Sequence, residues 1–170
     1  MVVWLIGLSG AGKTTVGKEL RNQIVDLGHN CVLLDGDIIR EIFANDLGHS
    51  IADRKRNADR ICQLCKHLSS QGINVVCAIL SIFHESQAWN RKNMNDYYEV
   101  FIDAPLELVK KRDVKGIYKK VERGEISSVA GVDLEFPVPK SPNLILQNDF
   151  TEDVSSMAKS ILDKIKQGLY

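Results

Sequence analysis

The sequence predicts an α/β fold, a five-stranded parallel sheet with helices on both faces, and three observations carry that expectation. Residues 7–14 read Gly7-Leu8-Ser9-Gly10-Ala11-Gly12-Lys13-Thr14, a complete G-x-x-x-x-G-K-[ST] phosphate loop. The loop lies between an apolar run at 2–6 and a stretch with helical spacing at Val16, Leu20, Ile24 and Leu27, the strand–loop–helix context that the motif needs. Five short apolar runs, at 2–6, 31–34, 74–80, 98–102 and 143–146, alternate with helical patterns. Their nearly continuous apolar character suits strands buried on both faces. Together these features predict a P-loop NTPase-type architecture.

Val2-Val3-Trp4-Leu5-Ile6 is the first strand and 14–27 the first helix. In the loop between them, glycines let successive backbone N–H groups turn toward phosphate oxygens. The helix N-terminus adds its partial positive charge. Lys13 is placed to reach the β- and γ-phosphates, and the Thr14 hydroxyl to ligate Mg²⁺. A nucleoside triphosphate with Mg²⁺ is therefore the expected ligand.

The second strand runs into Asp35-Gly36-Asp37, with Arg40 following. Carboxylates are poor strand formers. At a strand end they suit Mg²⁺ ligation or acceptance of a proton from a substrate hydroxyl, and Asp37 could instead cap a helix at 38–45. Asp53-Arg54-Lys55-Arg56-Asn57 opens the helical pattern at 53–71, and Arg54 and Asn57 share a face. From spacing alone, this is either a ligand-binding face or a solvated basic turn.

Within that helix Cys62-x-x-Cys65 invites a metal reading. Ile61, Leu64, Cys65 and Leu68 instead follow an apolar stripe, and no second Cys or His pair has zinc-ligand spacing. The cysteines are thus expected in the core. The third and fourth strands follow at 74–80 and 98–102. From 105 to 140 the chain is basic, glycine-dotted and weakly periodic. It is expected to contain a mobile lid at roughly 112–136, an exposed helix pair being the alternative. Pro137, Pro139 and Pro142 lead into the fifth strand, and the last helix spans 151–167, with Thr151 as its expected N-cap.

At 170 residues the chain is expected to form one domain, 1–170, able to bury a real core. Lys+Arg and Asp+Glu both number 22, so no global basic field argues for nucleic acid. No apolar run is long enough to span a membrane and no targeting segment is apparent, so a cytoplasmic location is expected. A guanine switch is disfavoured, because no Asn-Lys-x-Asp tetrad accompanies the phosphate loop. The strand-end carboxylates and arginines would have no purpose there.

The run Gly7 to Thr15, Leu34-Asp35-Gly36-Asp37-x-x-Arg40, Asp53-Arg54-x-x-Asn57, Arg112-Asp113-x-Lys115-Gly116-Ile117-Tyr118 and Gly131-Val132-Asp133 together resemble the adenylylsulfate (APS) kinase family. The resemblance implies ATP-dependent transfer of a γ-phosphoryl group to the ribose 3′-hydroxyl of a small nucleotide 5′-anhydride, by a homodimer. It implies ATP contacts at Gly7, Ser9, Gly10, Ala11, Gly12, Lys13, Thr14, Thr15 and Arg112, and Mg²⁺ contacts at Thr14 and Asp35. Lys13, Asp37 and Ser81 correspond to its catalytic positions, Ser81 matching a serine that some members carry phosphorylated. The acceptor would meet Asp37, Arg40, His49, Arg54, Asn57, Leu80, Ser81, Lys115 and Val129.

Departures from the family pattern concentrate at the acceptor. Leu80-Ser81-Ile82-Phe83 stands where Ile-Ser-Pro-Tyr is usual, and His84 and Gln87 replace arginines. His49 and Val129 occupy the positions of two base-stacking aromatics. The resemblance thus leaves two acceptors open, APS and a pyrimidine analogue such as the cytidine diphosphoramidate used by one branch of the family.

Overall fold

The computed structural model describes residues 1–170. Strands β1 (Val2–Ile6), β2 (Cys31–Asp35), β3 (Asn74–Ile79), β4 (Tyr97–Asp103) and β5 (Leu144–Gln147) form one sheet in the order β2-β3-β1-β4-β5. Every neighbouring pair is parallel. The helices are α1 (Lys13–Asp26), α2 (Gly36–Ile42), α3 (Ile51–Ser70), α4 (His84–Asn93), α5 (Leu106–Arg112), α6 (Ile117–Glu122) and α7 (Val154–Ile165). None of them is long and apolar enough to cross a membrane.

The period of two along β1 divides the core. Val3 and Leu5 face α1 and α7, packing with Val16, Leu20, Ile24, Met157 and Ile161. Val2, Trp4 and Ile6 face α3, packing with Ile61, Cys62, Cys65 and Cys77. Cys62 and Cys65 are both buried there. Burial pushes the Cys62 thiol up to about 12 and that of Cys77 well above its usual value, so these groups are inert packing elements.

All five expected strands form, with ends displaced by a residue or so. The N-cap of α7 is Asp153 rather than Thr151: the Asp153 carboxylate accepts from Ser156 N–H at 3.1 Å. Thr151 instead closes a local turn on Asp149, its N–H donating at 3.0 Å. The cap of α2 is Asp35 rather than Asp37, and Asp35 Oδ1 accepts from Asp37 N–H at 2.9 Å.

Helix α4 was not expected from the apolar pattern. Its buried residues are Ser86, Gln87 and Asn90, so the face turned to the sheet is polar. A fully buried carboxylate lies nearby: Glu99 accepts from Tyr97 O–H at 2.8 Å and pairs with Arg91 of α4 at 2.8 Å. Removing one partner of a buried pair leaves an uncompensated charge. Arg91→Ala should therefore destabilise the protein by about 3 kcal/mol in urea unfolding, near the low end for buried pairs because Arg91 is partly exposed. Arg91→Ala combined with Glu99→Gln should recover part of that loss; a loss near zero for the single variant would show that water reaches Glu99.

Candidate functional site

Ligands of open parallel sheets bind at the C-terminal ends of the strands. The order β2-β3-β1 puts three informative ends side by side: Asp35 ends β2, Ser81 lies just past β3, and the glycine loop follows β1. The loop begins α1 through Gly12, whose φ of 93° lies in the left-handed region that favours glycine. Asn148, just past β5, buttresses the loop by donating to Ala11 O at 2.9 Å, and Tyr118 of α6 donates to Ser9 O at 2.9 Å. Neither contact was expected from the sequence. Tyr118 carried a signal in its Gly116-Ile117-Tyr118 motif, whereas Asn148 followed an unremarked strand end.

Lys13 is half-buried at the start of α1 and donates to Leu8 O at 2.7 Å. Desolvation lowers its ammonium from the ordinary 10.5 to about 8, helped by Lys115 and opposed by Asp35 and Asp37. Thr14 donates its hydroxyl to Asp35 Oδ2 at 2.5 Å. These two oxygens, from different elements, are hard donors of the kind Mg²⁺ takes alongside phosphate and water, so the residues present fit that ion. Thr15 is exposed beside them. Arg112 sits farther along the loop's other flank, its guanidinium 4.0 Å from the Phe150 ring centre.

A cavity of about 80 Å³ opens beside the loop. Its walls include Asp37, Arg40, His49, Arg54, Asn57 and Leu80, with Ser81 and Phe83 completing the β3 side. The two arginines organise its rim. Arg40 donates to Leu47 O (3.1 Å) and Gly48 O (2.7 Å). Arg54 donates to His49 O and, across the chain, to Ser128 O, both at 2.9 Å. Asn57 is buried, and its amide nitrogen reaches Gly36 O at 3.4 Å while its Oδ1 has no partner.

Lys115 is not among the lining residues but pairs with Asp37 at 2.5 Å. Burial alone would raise the Asp37 carboxyl, but the hydrogen bond and charge of Lys115, with Lys13 and His49, bring it below its ordinary value. Desolvation, Arg40 and Arg54 lower His49, favouring a neutral imidazole. Val129 is not among the lining residues. It is buried in the cluster with Leu8, Val109 and Ala130, in a turn where Asp133 accepts from the N–H groups of Ser128 (2.7 Å) and Val129 (2.6 Å). The aromatic wall of the cavity comes from Phe83 instead.

With this geometry, the comparisons are specific. Residues 1–147 match the family model described as adenylylsulphate kinase. The chain belongs to the adenylylsulphate kinase family. An adenylyl-sulfate kinase of Halothermothrix orenii is 35% identical over 170 residues, covering 100% of this chain and 91% of that protein. A cytidine diphosphoramidate kinase of Campylobacter jejuni is also 35% identical, covering 96% of this chain and 95% of its own. The structure of the Mycobacterium tuberculosis APS kinase in complex with AMPPNP and APS superposes with a TM-score of 0.90 at 34% identity, covering 97% of this chain and 96% of that one. The protein is thus an ATP-using phosphotransferase of this family.

The depressed Lys13 value has a consequence for stability. Between pH 8 and 10.5 the unfolded chain binds more protons at Lys13 than the folded protein does, so folding is penalised fully below this window and relieved as pH rises through it. Lys13→Met should abolish phosphoryl transfer yet raise the melting temperature at pH 7. That gain should shrink between pH 8 and 10.5. A variant less stable than wild type at pH 7 would contradict the desolvation account.

Proposed function

We propose that the protein transfers the γ-phosphoryl group of ATP, bound with Mg²⁺ on the glycine loop, to the ribose 3′-hydroxyl of a nucleotide 5′-anhydride held in the adjacent cavity. The observation that carries this reading is the adjacency of Lys13, Asp35 and Asp37 on one sheet edge, within mutual Coulombic reach. In this scheme the loop from Gly7 to Thr15 holds the phosphates, with Lys13 meeting the charge that develops on the transferred group. Thr14 and Asp35 would hold Mg²⁺, which bridges and neutralises phosphate oxygens when bound. Arg112 and Phe150 flank the nucleotide on the loop's far side.

Asp37 is the group assigned to the accepting hydroxyl, as proton acceptor or orienting anion. Arg40 and Arg54 shape the acceptor cavity, and the unpaired Oδ1 of Asn57 offers an acceptor to a hydroxyl or amino group of the substrate. Lys115 would exchange Asp37 for the anionic 5′ end of the acceptor. The family match supports APS as that acceptor. A second reading, a cytidine nucleotide, draws on one observation: the cavity wall has a single phenyl ring, Phe83, with His49 the only other ring among its lining residues. A homodimer in the cytoplasm completes the proposal.

A coupled ADP-release assay tests it, run with APS, cytidine diphosphoramidate and unmodified nucleotides in parallel. Turnover with one of the two anhydrides is expected and identifies the base; turnover with neither contradicts the function. In the same assay Asp37→Asn should lower kcat by about 10²–10⁴, the usual worth of positioned proton transfer, with KM for ATP little changed. An effect confined to ATP binding would reassign Asp37 to the ATP site.

Segment 112–136 is proposed to act as a lid. The segment reaches the acceptor side through two contacts, the Lys115 pair with Asp37 and the hydrogen bond from Arg54 to Ser128 O. The Lys115–Asp37 pair is solvent-exposed on both sides, and such pairs contribute only about 0–1 kcal/mol. Hydrogen exchange within 112–136 should be fast in the free protein and slow when an ATP analogue and acceptor bind together. Equal protection in both states would refute a moving lid.

A further inference from the structure

We propose that Asn148 is a positioning residue for the phosphate donor, its one side-chain amide holding the phosphate loop and the Arg112–Phe150 pair in register with each other; this rests on ATP binding along the glycine loop as proposed above. Asn148 lies one residue past β5 and is only 5% exposed. Its backbone N–H donates to Asp103 O at 2.8 Å, which ties it to the end of β4.

From that fixed point the amide works in two directions. Nδ2 donates to Ala11 O at 2.9 Å, and Oδ1 accepts from Phe150 N–H at 3.0 Å. The side chain stands so close to the loop that a Cβ on Gly12 would come within 3.0 Å of Nδ2. The chain has no cis peptide bond, and in a trans peptide C=O and N–H point to opposite sides. Holding Ala11 O therefore turns the Gly12 N–H away from Asn148. That N–H is one of the donors a glycine loop presents to phosphate oxygens.

The second contact fixes a strained turn. Phe150 has a φ of 68°, in the left-handed region. A bulky side chain stays there only where its surroundings over-determine it. Asn148 holds the Phe150 N–H, and the ring packs against the apolar cluster on the α1 face of the sheet. Arg112, exposed at the end of α5, has its guanidinium 4.0 Å from the centre of that ring. The ring backs the guanidinium and so fixes where this planar cation can meet a base. A carboxamide suits the place because it donates and accepts at once, whereas a carboxylate only accepts and a methyl group does neither.

That difference separates the two contacts experimentally. Isothermal titration calorimetry in Mg²⁺ would use AMPPNP, which carries base and phosphates, and tripolyphosphate, which engages the loop alone. Asn148→Asp keeps an acceptor for Phe150 N–H but sets an oxygen against Ala11 O. Both ligands should bind it about tenfold more weakly, the scale of one hydrogen bond that serves a charged group. Asn148→Ala loses both contacts, so tripolyphosphate should weaken about tenfold and AMPPNP by a further factor of about three, the scale of a cation–π contact. Phe150→Leu should weaken AMPPNP about threefold and leave tripolyphosphate unchanged. KM for the acceptor should stay close to wild type in all three variants.

Wild-type affinity for tripolyphosphate in Asn148→Ala, which adds no charge, would overturn the inference, even with weak binding by Asn148→Asp through simple repulsion. So would equal losses for the two ligands in Asn148→Ala, because the amide would then hold the loop without the base platform. Asn148→Asp is isosteric and decides the matter if Asn148→Ala unfolds: unchanged affinity for both ligands would overturn the inference as well. Wild-type binding separates the two claims. If wild type binds neither ligand, the proposed function itself fails; if it binds both and the Asn148 variants match it, only the assignment of Asn148 fails.

Discussion

The 2.5 Å hydrogen bond from Thr14 to Asp35 joins the phosphate loop to the acceptor side of the site. It depends on how closely α1 lies on the sheet. At Gly17, one turn below Thr14, a Cβ would stand 3.2 Å from side-chain atoms of both Leu5 and Leu33 and 3.4 Å from one of Val76. A larger residue would have to push α1 outward or force three core side chains to give way. Because Gly17 admits the helix, Thr14 reaches the end of β2 although β3 lies between β2 and β1. Asp35 uses one carboxylate oxygen for Thr14 and the other to cap α2 at Asp37. Helix α2 in turn carries Arg40, whose guanidinium holds the 47–48 carbonyls. The cavity wall is thus indexed to the phosphate loop by a short chain of contacts.

Charge follows the same geometry. Lys13 and Lys115 lie among Asp35 and Asp37, two cations against two carboxylates, and Arg40 and Arg54 in the cavity wall leave the free site with an excess of positive charge. Triphosphate would bring negative charge to Lys13 and release it from Leu8 O. An anionic acceptor would compete with Asp37 for Lys115, an exchange made inexpensive by the exposure of both partners. Arg54 links the events, because one guanidinium bonds the carbonyl of His49 on the cavity rim and that of Ser128 in the proposed lid.

Much of this was legible in the chain, and the exceptions have a common cause. The phosphate loop and the five strands declare themselves because apolar periodicity and glycine spacing are local signals. Asp35, Asp37 and Arg40 could be read from their place at a strand end, whereas Arg54 and Asn57 stayed ambiguous by spacing and joined them only through the resemblance to the family. What periodicity hides is burial of polar residues. Helix α4 turns Ser86, Gln87 and Asn90 inward, so its pattern is that of a loop. Val129, small and next to Ala130 in a turn, gave no indication that Asp133 would fix it inside the apolar cluster. One cap went astray for a related reason. Thr151 was plausible by residue type, and only the folded backbone shows that Asp153 holds the free N–H group of α7, while the capping alternative raised for Asp37 falls to Asp35.

The central claim is that phosphoryl passes directly between two ligands on one sheet edge, with the protein supplying position and charge. Stereochemistry tests it most directly. With ATP made chiral at the γ-phosphorus by oxygen isotopes, a single in-line displacement inverts configuration in the product, and a covalent enzyme intermediate, requiring two displacements, retains it. The account predicts inversion. Retention would contradict it and require a phosphorylated group on the protein.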